Sequence, residues 1–177
     1  MRKILILLLA IFVVGAYSAD VFAQDHAFIG AKKCGMCHKG EKKGMILEKW
    51  EEGPHAKAYE TLATDEAKAI ATEKGLGNPQ EAAECLKCHV TGHGMDASLT
   101  ADLDMANGIS CEACHGAGAD YKSMKIMKDR EASIAAGMVA APKEGCVSCH
   151  NEESPTYKPF VLEEYWAEIE HGLPEGE

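Results

Sequence analysis

The pentapeptide Cys-x-x-Cys-His occurs four times in this chain: Cys34 to His38, Cys85 to His89, Cys111 to His115 and Cys146 to His150. The pairs Cys34/Cys37, Cys85/Cys88, Cys111/Cys114 and Cys146/Cys149 use all 8 cysteines. Two thiols three residues apart can reach the two vinyl groups on one haem edge and form thioethers. The histidine after them points its imidazole at the iron from the same side. Zinc sites, thioredoxin-like redox pairs and short disulfides also use paired cysteines. None of them needs a histidine directly after the second cysteine. With 8 histidines in 177 residues, four such placements by chance have a likelihood on the order of one in 10⁵ to 10⁶. The predicted cofactors are therefore four covalently attached haem c groups, with His38, His89, His115 and His150 as iron ligands.

Four histidines lie outside the motifs, one for each remaining axial position: His26, His55, His93 and His171. His55 comes directly after Gly53-Pro54, a helix-start signal, with Ala58, Tyr59 and Leu62 able to face inward behind it. His171 ends an amphipathic segment in which Leu162, Tyr165, Trp166 and Ile169 share one side and Gly172 stops the helix. His93 sits four residues beyond His89, too near to reach the far face of its own haem but able to reach a neighbouring one. His26 stands close to the expected mature terminus and gains order if an iron holds it. Met95, Met105, Met124, Met127 and Met138 are thioether alternatives that would raise a haem's potential. With histidines enough for every iron, low-potential bis-histidine sites are expected for most of the haems.

Residues 1–23 read as a secretory signal peptide. Arg2 and Lys3 precede an uncharged apolar run from Ile4 to Val14, and Val21-Phe22-Ala23 offers a cleavage site after Ala23. The run is shorter than the about 20 residues of a membrane span, and no second span comes after it. The remainder, 24–177, is expected to be a single tetrahaem cytochrome domain, periplasmic or extracellular. Losing Arg2, Lys3 and Asp20 moves the formal charge from −10 to −11, which argues against nucleic acid and anionic lipid and suits a basic redox partner. Aromatic residues make up only 6% of the chain, a thin supply for a core, so the apolar haem faces are expected to replace side chains. The fold class predicted is mainly α: short helices and loops wrapped around four haems. Helices are expected near 41–52, 54–74, 79–89, 118–136 and 160–171, with Asn78-Pro79 as a cap-and-start pair. The rest reads as loop, with glycine at 92, 94, 108, 116 and 118 and no convincing strand.

With the motifs placed, the sequence resembles the tetrahaem cytochrome c-554 family. The likeness rests on Phe28-Ile-Gly-Ala-Lys-Lys-Cys34 through Lys39, on Pro54-His55-Ala-Lys-Ala-Tyr59, on Cys85 through Gly92, on Gly108-Ile-Ser-Cys111 through Gly116, and on the final Cys146 to His150. It implies a mostly helical cytochrome with haems in close pairs and periplasmic electron transfer. The founding member accepts electrons from hydroxylamine oxidoreductase and leaves one haem five-coordinate. The resemblance also implies distal ligands at His55 and His171. Two departures stand out. The family places a distal histidine soon after the third motif, where residues 116–145 here contain none, and His93 stands where relatives often carry an aromatic residue. The resemblance thus implies a rearranged ligand set, with His93 or His26 filling a vacancy.

The function expected is electron transfer through four haems, with no substrate and so no catalytic residues. The second reading is an enzyme acting on nitric oxide, hydroxylamine or nitrite at an open haem. Arg130 is the only arginine of the expected mature chain, which leaves mainly lysine to bind an anion. A third reading is self-association into an extracellular filament, in which His26 serves a neighbouring molecule. Intact-mass spectrometry of the secreted holoprotein should show a chain that begins at Gln24 and carries four haems; a chain beginning at Met1, or one with fewer haems, contradicts the reading.

Overall fold

The computed structural model describes residues 26–172. The predicted signal peptide and its cleavage point lie outside them. Among the described residues there are ten short α-helices, three 3₁₀ segments and no strand, so the chain is a small, mainly α, single domain. In chain order the helices are α1 (Ala31–Gly35), α2 (Ile46–Glu52), α3 (Ala58–Thr61), α4 (Asp65–Glu73) and α5 (Ala83–His89). Next come α6 (Ala97–Thr100), α7 (Cys111–His115), α8 (Met124–Met127), α9 (Arg130–Ala135) and α10 (Leu162–Ile169). The 3₁₀ segments are Glu41–Lys43, Met105–Asn107 and Pro142–Ser148.

Capping side chains cut the expected helices short. Thr64 is extended (ψ 156°) and its hydroxyl accepts the Ala67 N–H. It starts α4 afresh and divides the helix expected over 54–74. Asp129 does the same at the head of α9, its carboxylate accepting from Ala132 N at 3.0 Å, and splits the span 118–136. Over 41–52 the chain breaks where Gly44 and Met45 both take positive φ, 72° and 53°. Asn78 closes a turn of its own, accepting from Gln80 N at 3.2 Å and donating to Glu81 at 2.9 Å. Helix α5 therefore begins at Ala83 rather than at Pro79. Helix α10 ends at Ile169, which leaves His171 beyond its last turn.

Nine apolar residues of the described chain are buried, and they do not form one continuous core. Leu62, Leu86 and Val90 cluster, with Tyr59 and Cys85 against them; this joins α3 to α5. Phe28, Ile29, Ala31 and Tyr121 are buried beside α1 and α7, where the Tyr121 hydroxyl donates to Gly116 O at 2.6 Å. Helix α1 also packs on α2 and α7, and Pro142–Ser148 packs on both α7 and α10. The elements that touch are mainly those carrying or flanking the four motifs. Gly108 makes one of these approaches possible. Its φ is +56°, and a Cβ there would lie 2.6 Å from the carbonyl oxygen of His55.

Leu86, 5% exposed, sits between the two cysteines of the second motif and in the cluster. Leu86→Ala should lower the stability of the holoprotein by about 2–5 kcal/mol through lost burial and a residual cavity, read as a shift in urea midpoint at constant slope. An unchanged midpoint would show that this cluster contributes nothing.

Candidate functional site

Each motif is wound as a helical turn. Helices α5 and α7 carry the second and third motifs whole. The first and fourth run off their helical segments, yet His38 N still bonds to Cys34 O at 3.1 Å and His150 N to Cys146 O at 2.9 Å. Residues i, i+3 and i+4 of such a turn share one face. The turn thus presents both thiols and the imidazole of a motif to the same side, the arrangement the covalent chemistry requires.

The motifs meet in pairs. The Cys34 thiol of the first and the Cys111 thiol of the third hydrogen-bond to each other. That bond, then burial, pushes the Cys34 thiol well above the ordinary range, while the same bond draws Cys111 down. In the second pair, burial and then the neighbouring Cys149 push the Cys88 thiol up to about 11. Lys87 and Glu153 add an ion pair across the second and fourth motifs. Cys114 also lies within electrostatic reach of Cys146, and α7 packs on Pro142–Ser148, so the two pairs adjoin. All eight cysteines are free of disulfides.

Cys37 is placed differently from its expected partner in haem binding. Cys34 is half-buried against the third motif, whereas Cys37 is exposed and meets no cysteine of another motif among the described residues. The reason lies in where α1 stops. The helix ends at Gly35, and Cys37 sits beyond it on a tightened turn, its N–H bonded to Cys34 O at 3.1 Å. The second thiol of the first motif therefore stands at the solvent edge. Cys114, the second thiol of the third motif, is exposed as well.

Two of the four non-motif histidines oppose motif histidines. The rings of His55 and His150 have centroids 6.0 Å apart at 75°, and those of His115 and His171 lie 5.8 Å apart at 66°. Two imidazoles on opposite faces of one metal, each bound at about 2 Å, hold their centres about 6 Å apart. Backbone carbonyls orient the rings through Nδ1: Val139 O holds His115 at 2.9 Å, Ile169 O holds His171 at 3.0 Å and Ala58 O holds His89 at 2.6 Å. Each bond leaves Nε2 for a metal, the usual outer support of a ligating histidine. The backbone of His55 is itself fixed, its carbonyl accepting from Ile109 N at 2.9 Å.

The other two candidates are placed apart. His93 is exposed, and among the described residues no ring contact joins it to a motif histidine. His26 is hydrogen-bonded through Nδ1 to Asp120, and its Nε2 faces Gly137; it too meets no motif imidazole among the described residues. His38 and His89 therefore have no opposed ring among those residues. His38 lies within electrostatic reach of His115 and His171, and its buried Nδ1 has no hydrogen-bond partner. Burial lowers the pKa of His38, His55, His115 and His150, which favours the neutral, metal-binding form. The residue set fits haem: paired free thiols, neutral imidazoles, and two ring pairs at the spacing of shared metal coordination.

Several participants escaped the sequence. Phe160 stacks on His150 with centroids 4.7 Å apart, and Tyr165 stacks on Phe160 at 4.9 Å. An aromatic beside a motif histidine carries no sequence signal, nor does a carbonyl acceptor. Asp120 had one weak signal, its position soon after the third motif.

Residues 33–116, which hold the first three motifs, match the family described as cytochrome c554 and c-prime. Cytochrome c-554 of Nitrosomonas europaea is 34% identical over 110 residues, covering 59% of this chain and 45% of that protein. Over these residues the chain is similar to the cytochrome c-554 family. The C-type polyheme cytochrome OmcC of Geobacter sulfurreducens is 30% identical over 73 residues, 38% of this chain and 9% of that protein. The chain thus spans less than half the length of either curated relative. No solved structure matches it. Both relatives are c-type cytochromes by name. Among the described residues no helix is long and apolar enough to cross a membrane. The fourth motif lies outside the family match, but its structural links run to both the second and third.

The Lys87–Glu153 tie gives a pH dependence. Hydrogen bonding to Lys87 and the ammonium charge hold the Glu153 carboxyl below its ordinary 4.5. A depressed carboxyl contributes stability above its unfolded pKa and loses it as pH falls through the folded one. Comparing Glu153→Gln with the parent should therefore show a small difference in denaturation midpoint at neutral pH that fades below pH 4.5 and in high salt. A difference that grows on acidification would refute the tie.

Proposed function

We propose that this chain carries four haems c, one on each Cys-x-x-Cys-His turn, and passes electrons among them without a substrate of its own. The observation that supports this reading most directly is the pair of opposed imidazoles, His55 with His150 and His115 with His171, at 6.0 and 5.8 Å. In this reading His55 and His171 are the distal ligands of the fourth and third haems. When bound, the haems supply the one-electron chemistry. The chain's part is to hold the thioethers, orient the imidazoles through Ala58, Val139 and Ile169, and keep the first and third turns, and the second and fourth, close. Cys37 and Cys114, both exposed, would put the haem edges they hold near the surface, where a redox partner can approach. The packing of α7 on Pro142–Ser148, with Cys114 within electrostatic reach of Cys146, would join the two pairs into one route.

A signal peptide at 1–23, a mature domain at 24–177, and a periplasmic or extracellular site of action with a basic redox partner belong to the same reading. His26 and His93 remain candidates for the first and second irons. The carboxylate on His26 Nδ1 suits a ligand, and the partner iron would lie in this chain or in the next molecule of a filament. A second reading has its own support: His38 and His89 face no other imidazole among the described residues. An iron left five-coordinate there would be open to hydroxylamine or a nitrogen oxide.

Electron paramagnetic resonance of the oxidised holoprotein separates the two. Four low-spin haems are expected of the carrier. His55→Ala and His171→Ala should each convert one low-spin haem to high spin while haem content stays at four. A stoichiometric high-spin haem in the unaltered protein moves the enzyme reading ahead, and variants with unchanged spectra overturn the pairing.

A further inference from the structure

The two x positions of the motif take no part in holding haem, yet Glu112, in the third motif, is 2% exposed. Its carboxylate accepts three backbone hydrogen bonds: from Ile29 N at 2.9 Å, Gly30 N at 2.7 Å and Gly118 N at 2.7 Å. No lysine or arginine pairs with it among the described residues. Burying a carboxylate is costly unless its lone pairs are satisfied, so a charge here marks a position that the three amides must define together.

The three donors flank the first and third motif turns. Ile29 and Gly30 lead directly into α1, with Gly30 as its N-cap, and α1 carries Cys34. Gly118 lies three residues past His115. One carboxylate therefore grips the entrance of the first motif and the exit of the third from within the third. The grip continues along the backbone, where Ala119 N bonds to Ala27 O at 3.1 Å and Asp120 pairs with His26. The backbone at residue 118 comes close to both partners. A Cβ there would stand 2.9 Å from Ile29 Cδ1 and 3.1 Å from Glu112 Oε1. The Cys34–Cys111 contact lies on the same junction.

We infer that Glu112 is a positioning residue that clamps the first and third haem-binding turns into one unit, fixing their haems as an exchanging pair and lowering both reduction potentials through its buried charge. This rests on the four-haem reading above. A fixed negative charge stabilises the ferric state, and its removal raises the potential.

The test uses the four-haem protein and its Glu112→Gln variant, near-isosteric but uncharged and with one acceptor turned into a donor. Redox titration followed by optical and paramagnetic resonance spectra should show two potentials shifted upward and two held. Hydrogen exchange should show the amides of Ile29, Gly30 and Gly118 protected in the parent and about tenfold faster or more in the variant, as expected for losing a charged hydrogen bond. Four unchanged potentials, or free exchange of these amides in the parent, overturn the clamp. The parent exchange pattern decides the matter even where the variant does not assemble. Fewer than four haems in the parent instead overturns the underlying reading, and is counted separately by haem assay.

Discussion

Three side chains from a five-residue turn must converge on one rigid planar group, and the rest of the structure is arranged around that demand. A helical turn meets it, because positions i, i+3 and i+4 share a face. It needs only about one turn of helix, so nothing in the chemistry calls for long helices. Caps at Thr64 and Asp129 keep the intervening segments short as well. Packing obeys the same logic: α1 on α7, and Pro142–Ser148 on α7, are contacts between segments that carry the motifs. With only nine buried apolar residues among those described, the chain has little other core to organise it.

The motif chemistry was legible in the sequence because covalent attachment demands fixed residue types at fixed spacing. Tyr59 and Leu62 as inward residues were legible too, and the structure puts both in the Leu62–Leu86–Val90 cluster. Helix ends were not. The hydroxyl of Thr64 and the carboxylate of Asp129 restart helices that periodicity alone runs together, while Asn78 spends its side chain on a turn. The exposure of Cys37 was hidden for a related reason, since the motif's spacing is silent on where α1 stops. His55 and His171 could be named as candidates, but not which imidazole each would face. That depends on contacts between residues 95 and 56 positions apart in sequence. The role of Glu112 was invisible on the same ground, since two of its three partners lie 82–83 positions away, and that of Asp120 nearly so, its partner being 94 away.

Neutral imidazoles and an acidic surface fit together physically. Burial lowers the pKa of four histidines, so their lone pairs are free at neutral pH. With those rings neutral, the net charge of −10 is set by carboxylates outnumbering lysine and arginine. Such a surface steers a basic partner toward the molecule over a range set by ionic strength. Glu112 is the exception, a carboxylate drawn inside and held by backbone amides rather than by a cation.

The two motif pairs are held by different physics, and this sets how they respond to load. The first and third turns are joined by a buried carboxylate with three short bonds. The second and fourth are joined by Lys87 and Glu153, whose side chains are 50% and 71% exposed. A buried, fully bonded charge resists separation because opening it strands the charge away from water. An exposed ion pair opens with little cost and weakens as salt rises. The first–third junction should therefore keep its geometry across conditions, while the second–fourth junction can adjust. In the proposed relay, the first–third pair would set a constant exchange step, and variation in rate with pH or ionic strength would arise at the more compliant second–fourth pair.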